Sequence, residues 1–319
     1  MRIIYFGSGE FGLPTLRWLV GTHEVVQVVT QPDRPAGRHR HLTATPIGAW
    51  AAEHSLPVLK AEDVNQPEVV EAARALNADA AVVIAFGQKL SEALIEAAGR
   101  LVVNLHASLL PRYRGAAPIN HAMLNCERET GVSVISLAQR MDAGMIYAQA
   151  SLAIDPRETA GELHDRLAEL GPGVMERVLR DFQAGTLVGQ KQDESQATRA
   201  PKLSKADGWV DFSATAEQVR CRIHGLTPWP GVRVLWRSKA TGREQELLLR
   251  RVADEPNFAA FAPPGTVLEG LRIATGNGAI QLLEVQPPGK PTMAATDFAR
   301  GHAITPGDQF ISPSPAGRG

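Results

Sequence analysis

The chain has 319 residues, 44% of them hydrophobic and 21% charged, and a net charge of −1. That composition fits about two globular domains and excludes collagen, a coiled coil, a disordered tail protein and a protein held to nucleic acid by bulk charge. The two cysteines, Cys126 and Cys221, fit neither a disulfide framework nor a zinc site, so a reduced, cytoplasmic setting is expected.

Residues 1–6 read as a first strand, which argues against a signal peptide. No apolar run nears the roughly 18 residues of a membrane helix. Gly7-Ser-Gly9-Glu-Phe-Gly12 follows and satisfies G-x-G-x-x-G, with Asp33 21 residues beyond Gly12, near the offset of a dinucleotide fingerprint. Asp33 sits between Pro32 and Pro35, however, which places it in a loop. Residues 25–30 read as a second strand. The loop from Arg34 to His41 carries three arginines, two histidines and no acid. Residues 66–76 and 91–98 are helical in pattern, and 80–85 and 101–105 are strands. These strands are apolar almost throughout, as strands buried on both faces are. Strand–helix alternation predicts a mostly parallel sheet covered by helices.

Asn104 and His106 lie at the end of a strand, two residues apart and therefore on one face. Ligand sites in such sheets lie at the carboxyl ends of the strands. Asp142, before Gly144, adds a carboxylate. An amide suits a developing oxyanion, a histidine exchanges protons with an amine near neutral pH, and a carboxylate orients the histidine. With no evident serine or cysteine nucleophile, the set suits direct acyl transfer to an amine. Further on, Thr159-Ala-Gly-Glu162 reads as a capping box opening a helix to about residue 182, broken at Pro172. Residues 185–208 are polar and read as the domain connection. Short apolar runs at 232–236, 246–252, 265–268, 271–275 and 279–285 suggest a small antiparallel barrel. Residues 201–319 carry a net +3, which permits a polyanion partner there, with Arg220, Arg222, Arg233 and Arg237 as candidates. The expected division is 1–186 catalytic, 187–208 linker, 209–311 barrel and 312–319 a frayed tail. No metal site is visible among the nine histidines, and nothing demands a partner subunit, so a monomer is expected.

The segment Asn104-Leu-His-Ala-Ser-Leu-Leu-Pro-Arg-Tyr-Arg-Gly-Ala-Ala-Pro118 resembles the signature of the formyltetrahydrofolate-dependent formyltransferases. The resemblance covers nearly the whole chain. Residues 30–38, Lys202-Leu-Ser-Lys205 and Pro228-Trp-Pro-Gly231 resemble the branch that acts on charged tRNA. The resemblance implies a Rossmann-like domain with a mostly parallel sheet, then a small OB-like β-barrel. It also implies that the formyl group of 10-formyltetrahydrofolate passes to methionyl-initiator tRNA for translation initiation. By the same resemblance Asn104, His106 and Asp142 are catalytic, and Ser108, Leu109, Leu110 and Pro111 line the folate site. The stretch at Phe86 and Gly87 then forms a wall for the pterin. Arg38, with Arg34 and Arg40, contacts the acceptor stem, and the Gly7–Gly12 turn is structural and holds no nicotinamide.

The sequence departs from the family pattern in having Ala107 after the histidine, Leu137-Ala-Gln-Arg-Met141 before Asp142 and Ala143-Gly-Met145 after it. Arg140-x-Asp142-Ala-Gly144 resembles the sugar-nucleotide N-formyltransferases, the nearest alternative. A nicotinamide oxidoreductase and a silent folate- or RNA-binding protein are more distant ones.

Overall fold

A computed structural model of the chain describes residues 1–36 and 41–312. The chain forms two compact units. The first comprises Met1–Gly115, Gly131–Leu152 and His164–Arg199, and the second Ala116–Thr130, Ala153–Leu163 and Ala200–Gly319.

The first unit is built on a seven-stranded sheet. Its order is Ile146–Ala153, Glu129–Ser136, Leu101–His106, Ala80–Ile84, Arg2–Gly7, Glu24–Thr30 and Val58–Lys60. The five strands from Leu101–His106 to Val58–Lys60 run parallel, and Glu129–Ser136 pairs antiparallel with Leu101–His106. The mostly parallel sheet expected from the sequence is therefore present. Its central strands Ala80–Ile84 and Leu101–His106 are buried on both faces, as their continuous apolar runs require. Ile4, Phe6, Val29, Val83 and Phe86 pack with Val70 and Leu94 of covering helices in one apolar cluster.

The helix expected to break at Pro172 is two helices, Ala160–Ala168 and Gly171–Gln183. Pro172 lies in the first turn of the second, where its missing N–H costs no hydrogen bond, so the boundary precedes it. The capping box holds: Thr159 donates N–H and hydroxyl to Glu162 Oε2 at 2.7 and 2.9 Å.

The second unit carries an antiparallel sheet in the order Val267–Leu268, Arg272–Ala274, Ala279–Gln286, Glu244–Glu255, Val232–Arg237 and Gln309–Ile311. Its two ends meet: Val267 N–H donates to Asp308 O and Phe310 N–H to Gly265 O, both at 2.8 Å. These hydrogen bonds join the two ends of the sheet, as the expected small barrel requires. Trp236, Phe212, Leu247, Leu249 and Phe310 fill it, with Val219 and Ile223 of the Ala216–Gly225 helix. Buried Asp308 accepts from Trp236 Nε1 at 3.1 Å and Lys239 N–H at 2.8 Å. Ser312, first residue of the expected tail, accepts from Val210 N–H at 2.9 Å; residues 313–319 lie outside the described residues.

Two expectations are corrected here. Cys126 and Cys221 are joined as a disulfide, with Cα atoms 5.5 Å apart, within the span a bridge allows. Ninety-five residues separate them in sequence, and only the packing of the Pro118–Leu124 helix against the Ala216–Gly225 helix reveals the pair. Of the four candidate arginines, Arg220 is buried and pairs with Asp254 at 2.7 Å. Arg222 stacks over Trp209 at 4.1 Å and donates to Asp207 O. Arg233 and Arg237 keep exposed guanidiniums beside Glu246 and Glu244.

His224 is fully buried, its Nε2 accepting from Val252 N–H at 3.1 Å. Burial, then the charges of Arg220 and Arg251, push its pKa down to about 4. In the unfolded chain the ring takes up a proton near pH 6.5. Stability is therefore full above that pH and lost as pH falls towards 4. Urea unfolding at pH 5.0 is expected to show about 2 kcal/mol less stability from this group than at pH 7.5. His224→Gln, which keeps an acceptor without a titrating ring, should remove that part of the acid loss. An unchanged pH dependence in His224→Gln would assign the loss to other groups.

Candidate active site

The strand order reverses between Arg2–Gly7 and Ala80–Ile84, and crevices at such reversals lie beyond the carboxyl ends of the strands. Leu101–His106 ends on this edge, with Asn104 beside Val83 and His106 beside Ser133. Asn104 is half-buried and His106 is buried.

The two nitrogens of His106 have separate tasks. Nε2 lies 2.9 Å from Tyr113 O, and because a carbonyl only accepts, Nε2 carries a proton. Nδ1 faces Asp142 Oδ2 at 3.6 Å, beyond hydrogen-bond range, so the carboxylate acts on it through charge. Asp142 Oδ2 also accepts from Gly115 N–H at 2.9 Å. One turn, Tyr113 to Gly115, therefore orients both His106 and Asp142. Asp142 itself has a φ of 55°, in the left-handed region that Asp tolerates better than most residues. Beside it, a Cβ on Gly144 would stand 1.8 Å from Ser136 O, so only glycine lets the loop close there.

The structure thus brings His106 and Asp142 together and puts Asn104 on the same strand face as His106. The other candidates divide. Ser108 is fully buried and donates to Arg112 O at 2.7 Å; its hydroxyl braces the loop. Ser133 Oγ donates to Ser108 O at 2.6 Å and accepts from Leu110 N–H at 3.1 Å. Leu110 is buried, whereas Leu109 and Pro111 are partly open. The Phe86 ring is buried edge-on to Phe6 at 5.6 Å, so it is core, and what Phe86 offers this edge is its backbone. Phe86 O accepts from Ser8 Oγ and Gln31 Nε2. A Cβ on Gly87 would meet Gln31 Nε2 at 2.3 Å.

The glycine turn closes over Tyr5. Tyr5 OH donates to Gly12 O at 3.0 Å, and a Cβ on Gly12 would stand 2.0 Å from that hydroxyl. The Ser8 and Gly9 amides are donated to Ala85 O, where a pyrophosphate would need them free. Asp33 pairs with Lys60 at 2.7 Å. Arg34 is exposed and opens a short hairpin, Arg34–Ala36 with His41–Thr43. Arg38 and Arg40 lie outside the described residues.

Sequence reasoning missed the contribution of the polar stretch read as a linker. Ile146 and Gln190 exchange both backbone hydrogen bonds, at 2.7 and 2.8 Å. That pairing draws the following residues alongside the Asp142 loop. Gln192 Nε2 donates to Asp142 O at 2.7 Å and to Gly144 O at 2.8 Å. Thr198 accepts from Tyr113 N–H through Oγ1 and from Arg114 N–H through its carbonyl. No periodicity announces these residues. The one signal is Arg114, a buried cation in the signature segment that needs partners from elsewhere.

Comparisons with known proteins give the family and the fold. The formyl transferase family model matches residues 1–179, and that of the formyl transferase C-terminal domain matches 202–303. The chain is 39% identical over 312 residues to the methionyl-tRNA formyltransferase of Geobacter metallireducens, covering 96% of this chain and 97% of the relative. It is 40% identical over 308 residues to that of Methylococcus capsulatus, covering 95% and 98%. Among solved structures, the N-formyltransferase of Helicobacter canadensis in complex with folinic acid and dTDP-3-aminofucose aligns with a TM-score of 0.66 at 16% identity. That alignment covers 90% of this chain and 98% of that one. HypX of Aquifex aeolicus in complex with tetrahydrofolic acid aligns at 0.59 and 18% identity, covering 94% and 47%. At these identities the structural likeness is one of fold.

Proposed function

The chain belongs to the formyl transferase family, and from that premise we propose that it passes the formyl group of 10-formyltetrahydrofolate to the amino group of methionyl-initiator tRNA. The observation that carries the chemistry is the grouping of His106 and Asp142 at the strand edge that bears Asn104. The near-full-length identity to methionyl-tRNA formyltransferases supports the acceptor.

In this reading the attacking amine adds to the formyl carbon. The Asn104 amide donates to the formyl oxygen as it gains charge, an interaction strongest in the transition state. His106 takes the amine proton at Nδ1, the nitrogen left open by the Tyr113 contact, and returns it to the departing folate nitrogen. Asp142 supplies the counter-charge while the ring is protonated. The partly open Leu109 and Pro111 line the folate, with the Phe86–Gly87 backbone as the opposite wall. Ser108 serves the folate by holding that loop.

Arg34, Arg38 and Arg40 are assigned to the acceptor stem, with the OB-like barrel at 209–311 as a second surface for tRNA and 187–208 as the connection from the catalytic part, 1–186. Arginine–phosphate contacts weaken with salt. Arg38→Ala is expected to raise KM for charged tRNA and flatten its salt dependence, with folate affinity unmoved. Wild-type tRNA kinetics at physiological salt would take the loop out of recognition. We place the protein in the cytoplasm, on the charged-tRNA substrate named for its relatives and despite the Cys126–Cys221 disulfide, acting as a monomer; among the described residues no helix is long and apolar enough to cross a membrane.

The Arg140-x-Asp142-Ala-Gly144 motif makes an amino-sugar nucleotide the competing acceptor. Offering methionyl-tRNA and a dTDP-amino sugar with one folate donor separates them. Formyl transfer to the tRNA alone supports the assignment, and transfer to the sugar alone overturns it.

A further inference from the structure

The loop that carries Asp142 has no regular secondary structure to hold it. It projects between Glu129–Ser136 and Ile146–Ala153, and its key residue sits in a left-handed conformation. Such a loop needs outside support to keep one geometry. Besides the Gly115 N–H on Asp142 and the contacts of Lys89 and Glu92 with Gln139, three side chains support it. Gln192 is buried, and its amide nitrogen spans the two carbonyls that flank the turn, Asp142 O and Gly144 O. Its amide oxygen accepts from Arg114 Nε at 3.1 Å and Nη2 at 2.7 Å. This fixes which way the amide faces, because Arg114 has only donors. Arg114 is in turn paired with Glu194 at 3.0 Å, and Glu194 reaches Arg140, on the Asp142 loop itself, also at 3.0 Å. Hydrogen bonding from Arg114 holds the Glu194 carboxyl below the usual carboxylate range, so the outer latch stays charged in neutral solution.

We propose that Gln192 is a positioning residue for formyl transfer: anchored by Arg114, it holds the Asp142 loop so that the carboxylate faces His106 Nδ1. Gln192 touches neither substrate and acts only through Asp142. The inference rests on the assignment of Asp142 to the chemistry, made above. A buried Gln could instead do no more than satisfy Arg114, and the two cases part in kinetics. A satisfier, when removed, lowers stability and leaves turnover of the folded enzyme alone. A positioning residue, when removed, lowers kcat.

The test is a double-mutant cycle in steady-state formylation of methionyl-tRNA. Gln192→Ala is expected to lower kcat by about 10- to 100-fold, the range for a small displacement of a reacting group. KM for both substrates should stay within about threefold, because an interaction made only in the transition state is lost. In an Asp142→Ala background the same substitution should change kcat less than about twofold, since coupled residues are non-additive. Gln192→Met, of similar volume but without the donors, is carried alongside in case the alanine variant unfolds, with melting temperatures recorded for both. Wild-type kcat in either folded variant, or equal effects in both backgrounds, would overturn the proposal. Asn104→Ala is assayed in parallel. If it too retains wild-type turnover, the site assignment has failed; if it collapses while Gln192→Ala does not, only the positioning role has.

Discussion

His106→Ala is expected to lower kcat for formyl transfer by about 10²- to 10⁴-fold, the range for a positioned acid–base group. The ring is enclosed, with only 6% of its surface exposed, so bulk water cannot replace it efficiently. Its orientation is fixed by Tyr113 O on one nitrogen and by the charge of Asp142 on the other. Both supports persist in the variant, because Tyr113 O belongs to the backbone and Asp142 still accepts from Gly115 N–H. The loss should therefore fall on the chemical step, with folate affinity and KM for tRNA nearly unchanged. Single-turnover rates with saturating donor, together with folate binding by equilibrium titration, check this. A folded variant with near-normal turnover would remove the histidine from the reaction.

Asn104→Ala is expected to lower kcat by about 10²- to 10³-fold, the cost of losing one oxyanion donor. Asn104 is half-buried, while its strand neighbours Val103 and Leu105 are core residues. A polar amide at the end of a buried strand is costly unless it meets a partner, and in the proposed reaction the formyl oxygen is that partner. Asn104→Asp is the sharper variant. It keeps the shape and replaces the donor with an acceptor, so it should be at least as impaired as alanine. If Asn104→Asp turned over as wild type, oxyanion donation would be the wrong role for this residue.

The sequence made the sheet legible because burial on both faces writes itself as continuous apolar runs, as in Ala80–Ile84 and Leu101–His106. The i, i+2 rule then placed Asn104 and His106 on one face without any structure. Pro172 misled only about the position of a helix end, since proline is tolerated in a first turn. The remaining parts were hidden because they depend on contacts between distant segments. Tyr113 O and Gly115 N–H are backbone groups, and no residue type announces them. Gln192 sits in a polar run that reads as solvated linker, yet its amide is buried against a loop 48 residues earlier. Cys126 and Cys221 meet only because two helices pack. Phe86 shows the converse: an apolar residue at the site's edge reads as a ligand wall, but its ring turns into the core against Phe6.

The most direct measurement is single-turnover formylation with 10-formyltetrahydrofolate, comparing charged initiator tRNA with charged elongator tRNA for wild type and His106→Ala. Rapid transfer to methionyl-initiator tRNA by wild type, little to the elongator, and slow transfer by the variant are expected. No transfer to either tRNA by protein that binds folate, or equal rates for wild type and variant, would contradict the assignment of acceptor or site, respectively.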